Sequence, residues 1–378
     1  MSPWGLPEAI RHGIADADGL NMHFLEAGSP NAPLVLLLHG FPELSYSWRK
    51  VILPLSAAGY RVVAPDLRGY GRTCPGQVYF DDDLTPYRPY AIVRDVVALV
   101  YALRAHSVFA VVGHDHGSLV AGNCALIRPD LFKRVVCMSA PYTGAPTFKK
   151  SEGHHGVVRP PSIIPFVERA LHALHPPREH YTVYFSGPSA DRDMTGPGLH
   201  AFLRAYYHVK SADWSGNGEP HALSETSAEA VSVLPEYYVM LRGKTMPKTV
   251  LAHSPSLAEV AANRWLPEDE LAVYVSEYAR TSFQGGLNGY RCITEESGRW
   301  TEDLLVFSCK TVDVPSAFIA GKRDWGVWQF PGAVDIMKKV MTGMGERFIL
   351  VDGAGHWVQQ EKPAEVVEQL LSFFKATS

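Results

Sequence analysis

Cysteine is scarce and scattered in this chain: Cys74, Cys124, Cys137, Cys292 and Cys309 are the only five in 378 residues. An odd number at such wide intervals makes neither a disulfide framework nor a zinc-ligand spacing, so buried free thiols in a reducing compartment are expected. Long apolar runs are missing too. The uninterrupted ones, such as Leu34 to Leu38, are strand-sized, and Ala91 to Leu103 carries Arg94 and Asp95, so no segment reads as a membrane span. Near the N-terminus, Glu8, Arg11 and His12 stand where a signal peptide needs a continuous apolar stretch, which points to a cytoplasmic location. Charge of one sign is equally absent. With 35 basic against 39 acidic residues and no basic run beyond pairs such as Lys149-Lys150 and Lys338-Lys339, a nucleic-acid or anionic-membrane surface is not expected.

What the chain does have is apolar mass. Hydrophobic residues make up 46% and charged residues 20%, enough for a large core and too apolar for wholesale disorder. The first third alternates short apolar runs with helical patterns. Leu34–Leu38 leads into His39-Gly40, Arg61–Ala64 into Pro65-Asp66, Val108–Val112 into Gly113, and Arg134–Met138 into Ser139. Runs of this kind read as parallel strands buried on both faces, with Ala91–Arg104 and Ser118–Arg128 as crossover helices. The pattern stops between about Thr143 and Trp300, where Pro, His and Tyr are frequent and Leu199–Val209 and Pro267–Arg280 look helical. Within it, Ser211–Ser254 looks loop-rich, with Ser215–Pro220 as its least ordered part. The strand pattern resumes at Pro315–Ala320 and Arg347–Val351. The fold class expected is therefore α/β, a mostly parallel sheet flanked by helices, interrupted by a helical insertion.

The chemistry concentrates at the strand ends. In Gly113-His114-Asp115-His116-Gly117, small residues flank a strand-turn-helix bend that would force the central side chain into a cramped, exposed position. A carboxylate there has a definite consequence. Attack on an ester would produce an anhydride no easier to hydrolyse, whereas displacement at saturated carbon produces an ester that water can open. Asp115 thus points to alkyl transfer rather than to a lipase, protease or lactonase. The second step needs a base and an acid to orient it. His356 in Gly353-Ala-Gly-His356 and Asp324 in Gly321-Lys-Arg-Asp324 follow the last two strands, so nucleophile, acid and histidine each fall at the carboxyl end of a parallel strand. The turn His39-Gly40-Phe41-Pro42 follows the first strong strand, and the backbone N–H groups of Phe41 and His116 are natural oxyanion donors. Gly69 and Gly71 do not make a dinucleotide fingerprint, because its third glycine would fall at Cys74. His154-His155, His172 and His175 read as surface residues, and no metal or cofactor is expected.

Together, His39-Gly-Phe-Pro-Glu43, Asp66-Leu-Arg-Gly-Tyr-Gly71, Gly113-His-Asp-His-Gly117 and Gly353-Ala-Gly-His356 resemble the α/β-hydrolase-fold epoxide hydrolases of the soluble type. The resemblance implies a core in two parts, residues 1–142 and 304–378, around a helical cap over 143–303. It implies a cofactor-independent enzyme, monomeric or homodimeric, that opens a small-molecule epoxide to a diol. Two cap tyrosines would hydrogen-bond the epoxide oxygen: Tyr290 in Asn-Gly-Tyr290-Arg291, and Tyr181 in His180-Tyr181-Thr-Val-Tyr184, with Tyr184 one helical turn away as a competitor. Glu43 and His114 are candidates for holding the hydrolytic water. This chain departs from the family where His116 replaces a commoner Trp after the nucleophile and Gly289 replaces a Trp before Tyr290. The alternative is a haloalkane or haloacid dehalogenase with the same Asp-His-Asp machinery, although Trp at 116 and Asn at 41, which would bind halide, are missing.

Overall fold

The computed structural model describes residues 4–74, 76–150, 157–158 and 163–377; His154 and His155 lie outside the described residues. Eight strands form one sheet: β1 (Arg11–Ala17), β2 (Leu20–Ala27), β3 (Leu34–Leu38), β4 (Arg61–Pro65), β5 (Ala110–His114), β6 (Val135–Met138), β7 (Ser316–Gly321) and β8 (Phe348–Val351). Their order is β1-β2-β4-β3-β5-β6-β7-β8, antiparallel for the first two pairs and parallel for the rest. Every residue of β3, β4, β5, β6 and β7 is buried. Helices cover both faces of such a sheet, which is why these strands read as unbroken apolar runs. The helices that follow β3, β4 and β5 are α1 (Arg49–Ala57), α2 (Pro89–Ala102) and α3 (His116–Ile127).

The boundaries differ from expectation in ways local chemistry explains. Helix α2 starts at Pro89, whose fixed φ and missing N–H suit a first turn. Strand β5 begins at Ala110 rather than Val108, because Val108 makes only an isolated bridge to Phe132. Helix α3 starts at His116, two residues before the expected start, because the bend is completed in a single residue. The β1–β2 hairpin was not anticipated at all. Seven residue pairs join it, but β1 is largely solvent-facing, so its sequence carries no buried run.

Among the described residues, the stretch between β6 and β7 contributes no strand to this sheet. It holds helices α4 (Leu199–Lys210), α5 (Glu268–Thr281) and α6 (Gln284–Thr294), and a short antiparallel pair of Arg178–His180 with Val239–Leu241. Ser215–Asn217 is an ordered turn, not the loosest part of its loop. The buried Asn217 donates to the carbonyls of Val209 and Ser211 and accepts from the Tyr237 hydroxyl. Four cysteines are buried thiols, but Cys309 is exposed, a correction to the expectation that all are buried. The register aligns the carboxyl ends of the central strands: Gly113 pairs Leu38, His114 pairs Met138, and Gly321 pairs Val351.

Candidate active site

Asp115 sits between the last residue of β5 and the first of α3 at φ +54° and ψ −118°, a conformation that side-chain-bearing residues rarely adopt. The neighbours enforce it. A Cβ on Gly113 would run into the Gly117 carbonyl, and one on Gly117 into the Leu38 carbonyl, so both flanks must be glycine. The backbone is held by Asp115 N–H donating to Met138 O at 3.1 Å and by Ser118 N–H donating to Asp115 O at 3.0 Å.

His356 and Asp324 converge on this residue from β8 and β7. Nδ1 of His356 lies 3.1 Å from both Asp324 oxygens, and Nε2 lies 3.5 Å from Oδ2 of Asp115. Asp324 also accepts Gly326 N–H at 2.7 Å, which fixes its carboxylate plane. All three side chains are buried. Burial favours the protonated form of Asp115, but the His356 ring, His116 and Lys210 outweigh it and hold the carboxyl well below the usual range. The same contest lowers Asp324, where burial is outweighed by His356 and Lys210. Both groups are therefore anionic at neutral pH, and Nε2 of His356 has no hydrogen-bond partner among the described residues.

The two amides expected to serve as oxyanion donors lie next to Asp115, one by a hydrogen bond and one by chain position. Phe41 N–H donates to Oδ1 of Asp115 at 3.0 Å, and His116 N–H is the first amide of α3, without an intrahelical acceptor. A cavity of about 400 Å³ opens at Asp115, lined by this residue, His116, Tyr181 and Tyr290 among others. The rings of Tyr181 and Tyr290 meet edge to face, 5.9 Å apart. Tyr184 lies outside this lining and turns its hydroxyl to Asp193 at 3.2 Å, so of the two candidates only Tyr181 lines the cavity with Asp115. Burial, with help from Asp115, pushes the Tyr181 phenol up, and Tyr290 is raised by burial and by Tyr181. Both stay protonated and able to donate.

Glu43 and His114 are buried and bonded to one another, with His114 Nδ1 2.5 Å from Glu43 Oε2. Glu43 also accepts Gly40 N–H and the side-chain amides of Gln359 and Gln360, while His114 Nε2 lies 2.7 Å from the His356 carbonyl. Burial lowers His114 but the Glu43 carboxylate more than reverses it, so the pair is an ion pair. Its bonds reach the backbone of His356 rather than the cavity. His172, read as a surface residue, is half-buried and pairs with Glu168 at 2.7 Å, and Glu179 completes a cluster of ligand atoms within 4.8 Å; His175 is exposed.

Two residues of the site had no motif to announce them. Lys210, the last residue of α4, is buried with its ammonium 5.0 Å from the Tyr238 ring, 5.4 Å from Tyr206, 5.6 Å from Trp357 and 6.0 Å from Tyr181. Its carbonyl accepts His356 N–H at 2.8 Å. Glu361 clamps the same junction, accepting the N–H groups of Ala212 at 2.8 Å, Gly355 at 2.9 Å and Trp357 at 3.0 Å. The last two flank His356. The only clue in the sequence was a glutamate one turn into the helix after the histidine loop.

Burial of Glu361 outweighs its three amide donors and raises it from 4.5 to about 7. The native state then holds a proton that the unfolded chain has released between about pH 4.5 and 7, so this group lowers stability as pH rises through that window. Glu361→Gln is expected to remove that slope, measured as thermal unfolding at pH 5 and pH 8. It should also lower kcat roughly tenfold to a hundredfold by loosening the His356 loop.

Comparison with known proteins adds relatives to this geometry. Residues 33–153 match the family model described as the alpha/beta hydrolase fold. The chain is 32% identical to epoxide hydrolase A of Mycobacterium tuberculosis over 95% of its own length and 96% of the relative's. It is 31% identical to epoxide hydrolase 2 of Siraitia grosvenorii over 97% and 99% of the two chains. Among solved structures, an epoxide hydrolase from an endophytic Streptomyces superposes with a TM-score of 0.75 at 31% identity, covering 98% of this chain and 96% of that one. Potato (Solanum tuberosum) epoxide hydrolase I superposes with a TM-score of 0.73 at 29% identity, covering 97% and 99%.

Proposed function

The chain belongs to the epoxide hydrolases of the α/β-hydrolase fold, and on that premise we propose that it opens epoxides to vicinal diols through a covalent ester on Asp115. The observation that carries the proposal is that two tyrosine phenols share one cavity with a carboxylate that Nε2 of His356 approaches to 3.5 Å. Oδ1 of Asp115 rests on Phe41 N–H, which leaves Oδ2 to attack the oxirane carbon as the carbon–oxygen bond breaks. The released electron pair goes to the epoxide oxygen, where Tyr181 and Tyr290 donate hydrogen bonds and a proton. Nε2 of His356, oriented by Asp324, next takes a proton from water as its oxygen adds to the ester carbon of Asp115. The tetrahedral oxyanion falls to the Phe41 and His116 amides; on collapse the His356 imidazolium protonates the leaving alkoxide to free the diol, and the proton of the new carboxyl returns to the phenolate, restoring carboxylate and phenol.

Glu43 and His114 enter this scheme by fixing the His356 backbone and through it the path of the water. The dehalogenase alternative is not favoured. The full-length relatives are epoxide hydrolases, and phenol donors suit a developing alkoxide better than a departing halide. The same reading keeps residues 143–303 as a cap on a core formed by 1–142 and 304–378. No helix among the described residues is long and apolar enough to cross a membrane, and a cytoplasmic monomer or homodimer belongs to the same proposal.

A single turnover with enzyme in excess over styrene oxide, run in water labelled with oxygen-18, tests the route. Label is expected in the peptide carrying Asp115, with the first diol largely unlabelled. Labelled diol with an unlabelled peptide means direct attack by water and rules out the ester.

A further inference from the structure

We infer that the imidazole of His116 determines specificity, favouring epoxides that carry an uncharged hydrogen-bonding substituent on the carbon next to the oxirane. The inference rests on the epoxide hydrolysis proposed above and concerns the same cavity.

Away from Asp115 the cavity wall is mostly apolar, built from Leu119, Val167, Val231, Ile293, Val327 and Phe330. No lysine, arginine or glutamate lines it, so an anionic substituent finds no partner and meets the Asp115 carboxylate instead. Few polar groups remain to read a substituent. Thr143 is exposed, the Thr182 hydroxyl is engaged by His180 at 2.8 Å, and the half-buried Thr226 is, unlike His116, not a chain neighbour of Asp115. Nε2 of His180 and Oε1 of Gln329 have no hydrogen-bond partner among the described residues, but both atoms are fully buried.

His116 is different. Its half-buried ring lines the cavity, and no hydrogen bond to either ring nitrogen is found among the described residues. It follows the nucleophile directly in the chain and lies 4.3 Å from the Tyr290 ring, centroid to centroid. A group bonded to it therefore stands beside the carbon caught between Asp115 and Tyr290. The cap helix leaves room for this. At Gly289 it presents backbone only, and even a Cβ there would lie 3.4 Å from Nδ1 of His116. Burial keeps the ring neutral, with Lys210 acting in the same sense against Asp115. A neutral imidazole offers one donor and one acceptor, which suits a hydroxyl, ether or carbonyl. In a mostly apolar cavity a substrate that bonds this ring gains what an apolar substituent cannot.

The test pairs two epoxides that differ by one hydroxyl, trans-1-phenylpropylene oxide and 3-phenylglycidol. The ratio of their kcat/KM values is expected to favour the alcohol by about tenfold, the worth of one good hydrogen bond. His116→Phe should bring the ratio close to one, and His116→Asn, which keeps a donor and an acceptor, should hold it well above one. His116→Ala serves as the deletion if the phenylalanine variant does not fold. An equal loss on both epoxides, or a ratio that survives in the Phe or Ala variant, would overturn the inference while leaving epoxide hydrolysis intact. Failure of the unsubstituted enzyme to open either epoxide would overturn both.

Discussion

Asp115→Asn is expected to lose diol formation by roughly four orders of magnitude or more, with the fold retained. Asparagine keeps the shape of the side chain and an oxygen for the Phe41 N–H, and it tolerates the positive φ of this position better than most residues. What it removes is the anionic oxygen that attacks carbon. Asp115→Ala removes the oxygens altogether and should be equally inactive, with an added conformational cost at φ +54°. Initial rates of diol formation decide the matter, with circular dichroism to establish that each variant is folded. Near-normal turnover in either variant would show that Asp115 is not the nucleophile. A loss of only a few-fold would place it among the groups that merely polarise the site.

His356→Gln should separate the two halves of the reaction. The alkylation step needs Asp115 and the two tyrosines but no base, so the variant is expected to react once with the epoxide and stop. Intact-protein mass spectrometry would then read the enzyme heavier by one substrate, while steady-state kcat falls by about 10² to 10⁴-fold. The backbone supports are unaffected, because Lys210 and Glu361 hold this loop through its amides and His114 through the His356 carbonyl. Turnover lost without any added mass would mean that His356 serves ring opening as well as ester hydrolysis. A variant that accumulates no ester and turns over normally would leave the second step to another base.

Much of this site was legible in the chain because its parts are local. Gly113-His-Asp-His-Gly117 specifies its own bend, since side chains at either glycine would collide with neighbouring carbonyls whatever surrounds them. Buried parallel strands are equally self-announcing: β3 appears as Leu34–Leu38 in both sequence and structure, because a strand covered on both faces has no polar side to interrupt it. Elements whose partners are distant were not legible. The β1–β2 hairpin is largely exposed along β1, so nothing in its composition distinguishes it from a loop. Lys210 looks like an ordinary helix-terminal lysine until four aromatic rings, from residues 181 to 357, close around it.

The same division applies to function. Residue order and type pointed to the proposed chemistry by themselves: a carboxylate in a nucleophile's bend, followed by an acid and a histidine, is the set that a covalent ester at saturated carbon requires. Only the tertiary structure could tell the two candidate tyrosines apart. Tyr181 and Tyr184 are one helical turn apart, and the difference between them is that one lines the cavity with Asp115 while the other bonds Asp193. It also assigned Glu43 and His114 to the support of His356, and Glu361 to the clamp on its loop. Bond-making capacity is a property of single residues and survives in one dimension. Direction, burial and partnership are properties of packing, and they exist only once the chain has folded.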